Sequence, residues 1–171
     1  TFLLEHDIRN FELSYYYLLP FLIDRNRFSH KGDYGHGYLV AGSMGKAGAS
    51  ILAAGAAMRS GLGLLTAHIP GIMYSILQAA VPEAMVTLDK NQHVVSEINI
   101  PEKISALGIG PGLGKDPATV EAISKLLKSK PTIPMVWDAD ALNIIAMDKE
   151  LLDLLPAGTI ITPHPGEFDR L

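Results

Sequence analysis

The chain has 171 residues, 48% of them apolar and 19% charged, with a net charge of −4 and no cysteine. That length suits one domain able to bury roughly 70% of its unfolded surface, and the balance excludes a disordered chain. It also excludes disulfides and thiolate metal sites, and offers no global attraction to nucleic acid, so a bound phosphate must be held by local backbone geometry. The apolar stretches fall well short of the ~20 residues needed to span a bilayer. No basic segment leads into an apolar run, so no signal peptide, no membrane association and a cytoplasmic setting are expected.

Residues 1–29, with Tyr15-Tyr16-Tyr17 and Leu18-Leu19-Pro20, read as a lead-in or linker that packs on a neighbour. From Lys31 the pattern changes to short apolar runs, small-residue helices and glycine turns. Tyr38-Leu39-Val40-Ala41, closed by Gly42, predicts a buried strand. The alanine-rich residues 48–60 predict a helix packed tightly on a sheet, suited to an interface as well as a core, and a homo-oligomer is expected. A strand at 64–68, a helix at 72–79 and a strand at 85–88 follow, then a polar surface excursion over 89–103. Ala106-Leu107-Gly108-Ile109 is a further strand, and Asp116-Pro117 opens a helix to about Lys128, with lysines near its C-terminal end. Residues 134–137 and 159–162 complete the strands. Short strands alternating with helices predict an α/β fold with a mostly parallel sheet and helices on both faces. The chain opens on Thr1 rather than Met and closes at Leu171 just after a helix start at Gly166-Glu167-Phe168, so a partial domain is expected.

In such sheets ligands sit beyond the carboxyl ends of the strands, where the glycine clusters at 41–49 and 110–114 fall. Ala41-Gly42-Ser43-Met44-Gly45-Lys46-Ala47-Gly48-Ala49 joins a strand to a small-residue helix. It is either a tight turn that needs glycine or a cradle where N–H groups approach an oxyanion or a ring; it has neither Walker A nor Rossmann spacing. Gly110-Pro111-Gly112-Leu113-Gly114 is a rigid nest for phosphate or a ligand edge, or a plain loop. In Asp138-Ala139-Asp140-Ala141-Leu142-Asn143, Asp138 and Asp140 can orient ligand hydroxyls or a hydrated magnesium ion; alternatively Asp140 caps the helix and Asp138 forms a turn. In Thr162-Pro163-His164-Pro165-Gly166-Glu167 two prolines hold His164 outward beside a carboxylate, and Glu167 binds magnesium through water or caps a helix. Pro82-Glu83 is a turn with an exposed carboxylate or part of a site, and the lead-in Lys31-Gly32-Asp33-Tyr34-Gly35-His36-Gly37 touches ligand or closes the sheet edge. His36, His68 and His93 lack metal spacing and read as bystanders.

Taken in order, these stretches resemble the dehydratase domain of NAD(P)H-hydrate repair enzymes, a ribokinase-like family. The likeness runs through Lys31-Gly32 with Gly35, Ala41-Gly42-Ser43, Gly48-Ala49, Arg59-Ser60-Gly61-Leu62-Gly63 and Val81-Pro82-Glu83-Ala84-Met85, then residues 110–114, 138–143 and 162–168. The resemblance implies a three-layer α/β/α fold, with residues 30–171 forming the N-terminal part of the dehydratase domain and residues 1–29 a lead-in from an upstream epimerase domain in a bifunctional parent. It implies a hydro-lyase reaction in which the S epimer of NADH or NADPH hydrate loses water at the expense of ADP or ATP with Mg2+. The implied route phosphorylates the ring hydroxyl and then eliminates phosphate, chemistry that rests mostly on positioning and charge stabilisation. Ala49, Gly112 and His164 match hydrate-binding positions; Asp138 and Asn143 are expected to join them, with Glu167 on the metal. The family's later Lys-Gly nucleotide loop and its Gly-Thr-Gly-Asp stretch with the catalytic Asp do not occur in this chain, so turnover is not expected of the chain alone. Two other readings are a small-molecule kinase of the same superfamily and a non-catalytic nucleotide-binding or scaffold domain.

Overall fold

The computed structural model describes residues 14–22 and 24–171. The part of the lead-in before Ser14, and Ile23, lie outside the described residues. A short helix α1 (Tyr15–Leu18) carries Tyr15 and Tyr16 exposed to solvent. Further on, Arg25 donates to the Gly61 carbonyl (2.6 Å) and lies 4.2 Å over the Tyr34 ring. Residues 31–34 form a 3-10 turn that leads into the sheet.

The remaining elements follow the expected alternation: β1 (His36–Val40), α2 (Ala47–Arg59), β2 (Leu64–Ile69), α3 (Tyr74–Ala80), β3 (Met85–Leu88), β4 (Ala106–Ile109) and α4 (Pro117–Lys128). They end with β5 (Met135–Trp137), α5 (Ala139–Ile145), α6 (Lys149–Asp153), β6 (Ile160–Ile161) and α7 (Pro165–Phe168). The strands form one sheet in the order β3-β2-β1-β4-β5-β6, every neighbouring pair parallel. From β1 the chain builds outward to one edge; at β4 it returns to the other side of β1 and builds to the opposite edge. The helices that follow β1 and β4 therefore lie on opposite faces of the sheet, and such a reversal is where doubly wound sheets open a ligand crevice.

Helices cover both faces, and the strand period of two sorts side chains between them. In β1, Leu39 joins one apolar cluster, with Ala54, Leu65, Ala67, Met73 and Leu77 under α2 and α3. Tyr38 and Val40 point into the other, with Ile109, Ile123, Leu127 and Trp137 under α4 and α5. The alanines of α2 let that helix lie close to the sheet; Ala54 and Gly55 are buried against it. Along the first face the cover thins toward β6, so that Val136 and Ile160, in register with Leu39, are 39% and 59% exposed. Helix α4 begins as its sequence dictates. Asp116 accepts from the Ala118 N–H (2.9 Å), Pro117 occupies the first turn, and Lys125 and Lys128 lie in the last.

The segment after β3 corrects one expectation. It is not simply a polar excursion: Asp89 and Val95 within it are 3% and 0% exposed. A carboxylate taken from water must find donors, and Asp89 takes them from the excursion itself, which curls around it. His68, read as a bystander, is one of its partners. Among the described residues no helix is long and apolar enough to cross a membrane.

Leu127, fully buried on α4, tests the packing between helix and sheet. Leu127→Ala is expected to lower the unfolding free energy by about 3 kcal/mol, read from urea denaturation midpoints at unchanged slope.

Candidate functional site

The two glycine loops meet at the reversal of the sheet. The Gly42 N–H donates to the Pro111 carbonyl (2.8 Å), and the Ser43 hydroxyl to the Gly112 carbonyl (2.7 Å). Backbone-to-backbone approach this close explains the glycines. A Cβ on Gly112, whose φ is +67°, would stand 2.8 Å from the Ala49 Cβ and 3.0 Å from the Lys46 carbonyl. Ala49 and Gly112, both expected to bind ligand, are thus direct neighbours across the crevice. Gly110 is tighter still, since a Cβ there would fall 1.8 Å from the Asp138 carbonyl oxygen.

That carbonyl reaches Gly110 because the chain turns sharply between β5 and α5. Ala139 adopts a left-handed φ of +51°, a conformation that costs a residue with a Cβ about 1 kcal/mol or more. The turn also corrects the expected cap. Asp138, not Asp140, is the N-cap residue of α5, and its side chain makes no capping bond. The Asp140 carboxylate is drawn elsewhere because a cation and a free amide lie within reach: it accepts from the Lys46 Nζ (2.8 Å) and from the Gly114 N–H (2.8 Å). One carboxylate on α5 therefore ties both glycine loops together.

Farther along the same edge, the Asn143 amide nitrogen donates to the Ala139 carbonyl (3.1 Å), and the Asn143 oxygen accepts from the Arg170 Nε (3.0 Å). Lys115, Asp140, Asn143 and Arg170 line a cavity of about 460 Å3 with Ala146 and Met147. His164 caps α7: its Nδ1 accepts from the Gly166 N–H (3.1 Å), which leaves Nε2 to carry the ring proton when the imidazole is neutral. Nε2 lies 3.3 Å from the Glu167 carboxylate, whose other oxygen accepts from the His164 N–H (3.1 Å). Glu167 is buried and His164 is 63% exposed at its side chain, so one imidazole edge rests on a fixed carboxylate and the rest faces solvent. Both Glu167 oxygens serve this cap. Among the described residues no three His, Asp or Glu side chains are grouped to hold a metal ion.

The six residues singled out from the sequence follow the carboxyl ends of β1, β4, β5 and β6; Ala49 meets Gly112 and His164 meets Glu167, whereas Asp138 lies against Gly110 and Asn143 against Arg170. Sequence reasoning missed Lys46, Ser43 and Arg170. Lys46 carried a usable signal, as the one charged side chain in the first glycine loop; Ser43 and Arg170 gain their roles only from partners far along the chain.

A sequence model described as NAD(P)H-hydrate dehydratase matches residues 38–171. The chain belongs to the NAD(P)H-hydrate dehydratase family. It is 38% identical to a bifunctional NAD(P)H-hydrate repair enzyme of Moorella thermoacetica, over 86% of this chain and 29% of that protein. It is 40% identical to an ADP-dependent (S)-NAD(P)H-hydrate dehydratase of Staphylococcus aureus, over 86% of this chain and 52% of the relative. The chain thus spans about half the length of the single-activity relatives and under a third of the bifunctional ones. Among solved structures, the Bacillus subtilis ADP/ATP-dependent NAD(P)H-hydrate dehydratase, co-crystallized with ATP/Mg2+, superposes with a TM-score of 0.70 at 30% identity, over 91% of this chain and 53% of that one. A ribokinase-like superfamily protein of Enterococcus faecalis gives 0.73 at 26% identity, over 86% and 51%. The three-layer α/β/α fold of this family member is ribokinase-like.

Asp140 supplies a test of the cross-link. Burial pushes its carboxyl up, but the Lys46 ammonium, the Gly114 N–H and the nearby Lys115 charge outweigh burial and hold it below the usual carboxylate range. A carboxyl whose folded value lies below its unfolded one adds stability above the unfolded value and loses it as pH falls through the folded one. The melting-temperature gap between wild type and Asp140→Asn is therefore expected to be open at neutral pH and to close below about pH 4. A gap of constant size would show that the charge of Asp140 does not hold the two loops.

Proposed function

We propose that this chain forms the hydrate-binding part of an ADP- or ATP-dependent NAD(P)H-hydrate dehydratase, and that the S epimer of NADH or NADPH hydrate lies along the row from Ala49 and Gly112 to His164. The observation that carries the reading is the meeting of the two glycine loops at the sheet reversal, inside the stretch matched by the family model. At that meeting Ala49 and Gly112 offer a surface with almost no side chain, against which a flat ring can lie close to the backbone. Ribose or ring hydroxyls are assigned to Asp138, whose carboxylate makes no capping bond, and to Asn143. His164 stands at the far end with its proton-bearing edge set by Glu167.

In the reaction, the ring hydroxyl takes a phosphoryl group from the nucleotide; the phosphate then leaves with its C–O bond electrons as a ring proton is lost, restoring the double bond of NAD(P)H. The contribution of this chain's residues is orientation, consistent with chemistry governed by positioning. The nucleotide of the Bacillus subtilis relative is the precedent for the donor. The residues described here do not make a self-contained magnesium site, since Glu167 is engaged in its cap and no carboxylate cluster accompanies it. Mg2+ commonly keeps its waters and binds through phosphate oxygens with one or two carboxylates, so Glu167 is assigned at most a contact through water. A linked epimerase domain in a bifunctional parent would supply the S epimer from its R counterpart.

The experiment uses the full-length gene product with prepared NADPH hydrate, Mg2+ and ADP or ATP, following the return of reduced-nicotinamide absorbance. Return that requires nucleotide is expected. His164→Asn, which preserves a capping side chain, is expected to lower kcat/KM roughly tenfold or more while leaving stability within about 0.5 kcal/mol. A folded, complete protein that restores no NADPH sinks the reading, and a phosphorylated product without NADPH return would point to a small-molecule kinase instead.

A further inference from the structure

The segment between β3 and β4 is fastened from within and holds the first glycine loop and the turn after β2 from without. Asp89, its side chain wholly buried, receives four donors from that segment. Its Oδ1 accepts from the Asn91 N–H (2.7 Å) and the Ser96 hydroxyl (2.6 Å), and its Oδ2 from the N–H groups of Ser96 (2.7 Å) and Glu97 (3.0 Å). His68 Nε2 lies 3.3 Å from Oδ2 and 3.0 Å from the Glu97 carbonyl oxygen. Its Nδ1 lies 3.1 Å from the Thr87 hydroxyl, itself 3.1 Å from the Tyr38 hydroxyl. Burial pushes the Asp89 carboxyl up, but these bonds from Ser96, Asn91 and Glu97 outweigh burial and hold it below the usual range.

With residues 91–97 curled around Asp89, the backbone of the turn faces outward. The Asn91 side-chain oxygen accepts from the N–H groups of His93 (2.9 Å) and Val94 (3.3 Å), fixing the turn. The carbonyls of Asn91, Gln92 and His93 then accept from Gly71 (3.3 Å), Ile72 (3.1 Å) and Met44 (2.7 Å). Met44 lies in the first glycine loop, between Ser43, bonded to Gly112, and Lys46, bonded to Asp140. A path of hydrogen bonds thus runs from a buried carboxylate at the end of β3 to the middle of the proposed ligand loop.

We propose that Asp89, seated on His68, is a positioning residue for the first glycine loop: it sets the turn at residues 91–93, whose His93 carbonyl holds Met44 and so presents Lys46 and Ala49 to the ligand. A carboxylate is required because four donors converge on two oxygens, and an amide at this place would turn one acceptor into a donor facing two others. The inference rests on the reading of that loop as ligand-binding, but its structural half stands by itself.

The test is hydrogen exchange, amide by amide, on the full-length gene product carrying Asp89→Asn or Asn91→Ala, beside hydrate kinetics on the same proteins. Asn91 lies on the outer turn, so its variant keeps the experiment decisive if Asp89→Asn fails to fold. The amides of Met44, Gly71 and Ile72 are expected to exchange roughly tenfold faster, the equivalent of one buried hydrogen bond, while those of α4 keep their wild-type rates. The KM for the hydrate is expected to rise by a larger factor than kcat falls. Unchanged exchange at Met44, equal acceleration at Met44 and α4, or wild-type KM in a variant whose Met44 has been loosened would each overturn the proposal. If the wild-type protein has no dehydratase activity, the functional reading fails by that result, while the exchange pattern still decides whether Asp89 holds the loop.

Discussion

Where β4 returns to the other side of β1, two loops must leave adjacent parallel strands in the space of one strand separation, and everything at the carboxyl edge of this sheet is arranged around that crowding. Strand spacing is about 4.8 Å, too little for two side chains to pass between the departing backbones. Gly110 and Gly112 resolve the crowding by having no side chain, so the loop after β4 can touch the Asp138 carbonyl on one side and Ala49 on the other. The same closeness brings backbone N–H groups and small surfaces to one place, which suits a site for a flat, phosphorylated ligand.

Crowding alone does not keep loops in position, and the polar side chains do the rest. Asp140 draws Lys46 and Gly114 to one carboxylate, and Asn143 with Arg170 continues the linkage to the end of the chain that carries His164. Near the carboxyl ends of β2 and β3, His68 and Asp89 are buried beside the Tyr38, Thr87 and Ser96 hydroxyls. Buried polarity of this kind is tolerable only when fully paired, and among the described residues no buried side-chain nitrogen or oxygen lacks a partner. The strained Ala139 belongs to the same pattern, since its left-handed turn aims the Asp138 carbonyl at Gly110 and frees the Asp138 carboxylate from capping.

Local signals made most of the secondary structure legible. The start of α4 was readable from Asp116-Pro117, and its end from the following lysines, because both act within one turn. The strands β1, β4 and β5 stood out as apolar runs ended by glycine or aspartate, as buried parallel strands do. Candidate ligand residues were legible for the same reason, since glycine clusters and an Asp-Ala-Asp run mark strand ends whatever the rest of the chain does. The misreadings were those in which a distant partner decided the outcome. Asp140 looks like a cap until Lys46, 94 positions away, is brought beside it. The stretch from Asp89 looks like solvent-facing polar chain until its carboxylate is found under its own turn, against a histidine from β2.

The sequence by itself determined the alternation of strands and helices, the mostly parallel α/β class and the family, because these depend on residue type and short-range spacing. Only the tertiary structure decided the strand order, the pairing of Ala49 with Gly112, and which carboxylate serves which donor. The physical reason is range. Propensity and periodicity act over a few residues, whereas strand order and the pairing of buried charges are settled by which surfaces exclude water together, and those surfaces come from segments far apart in the chain.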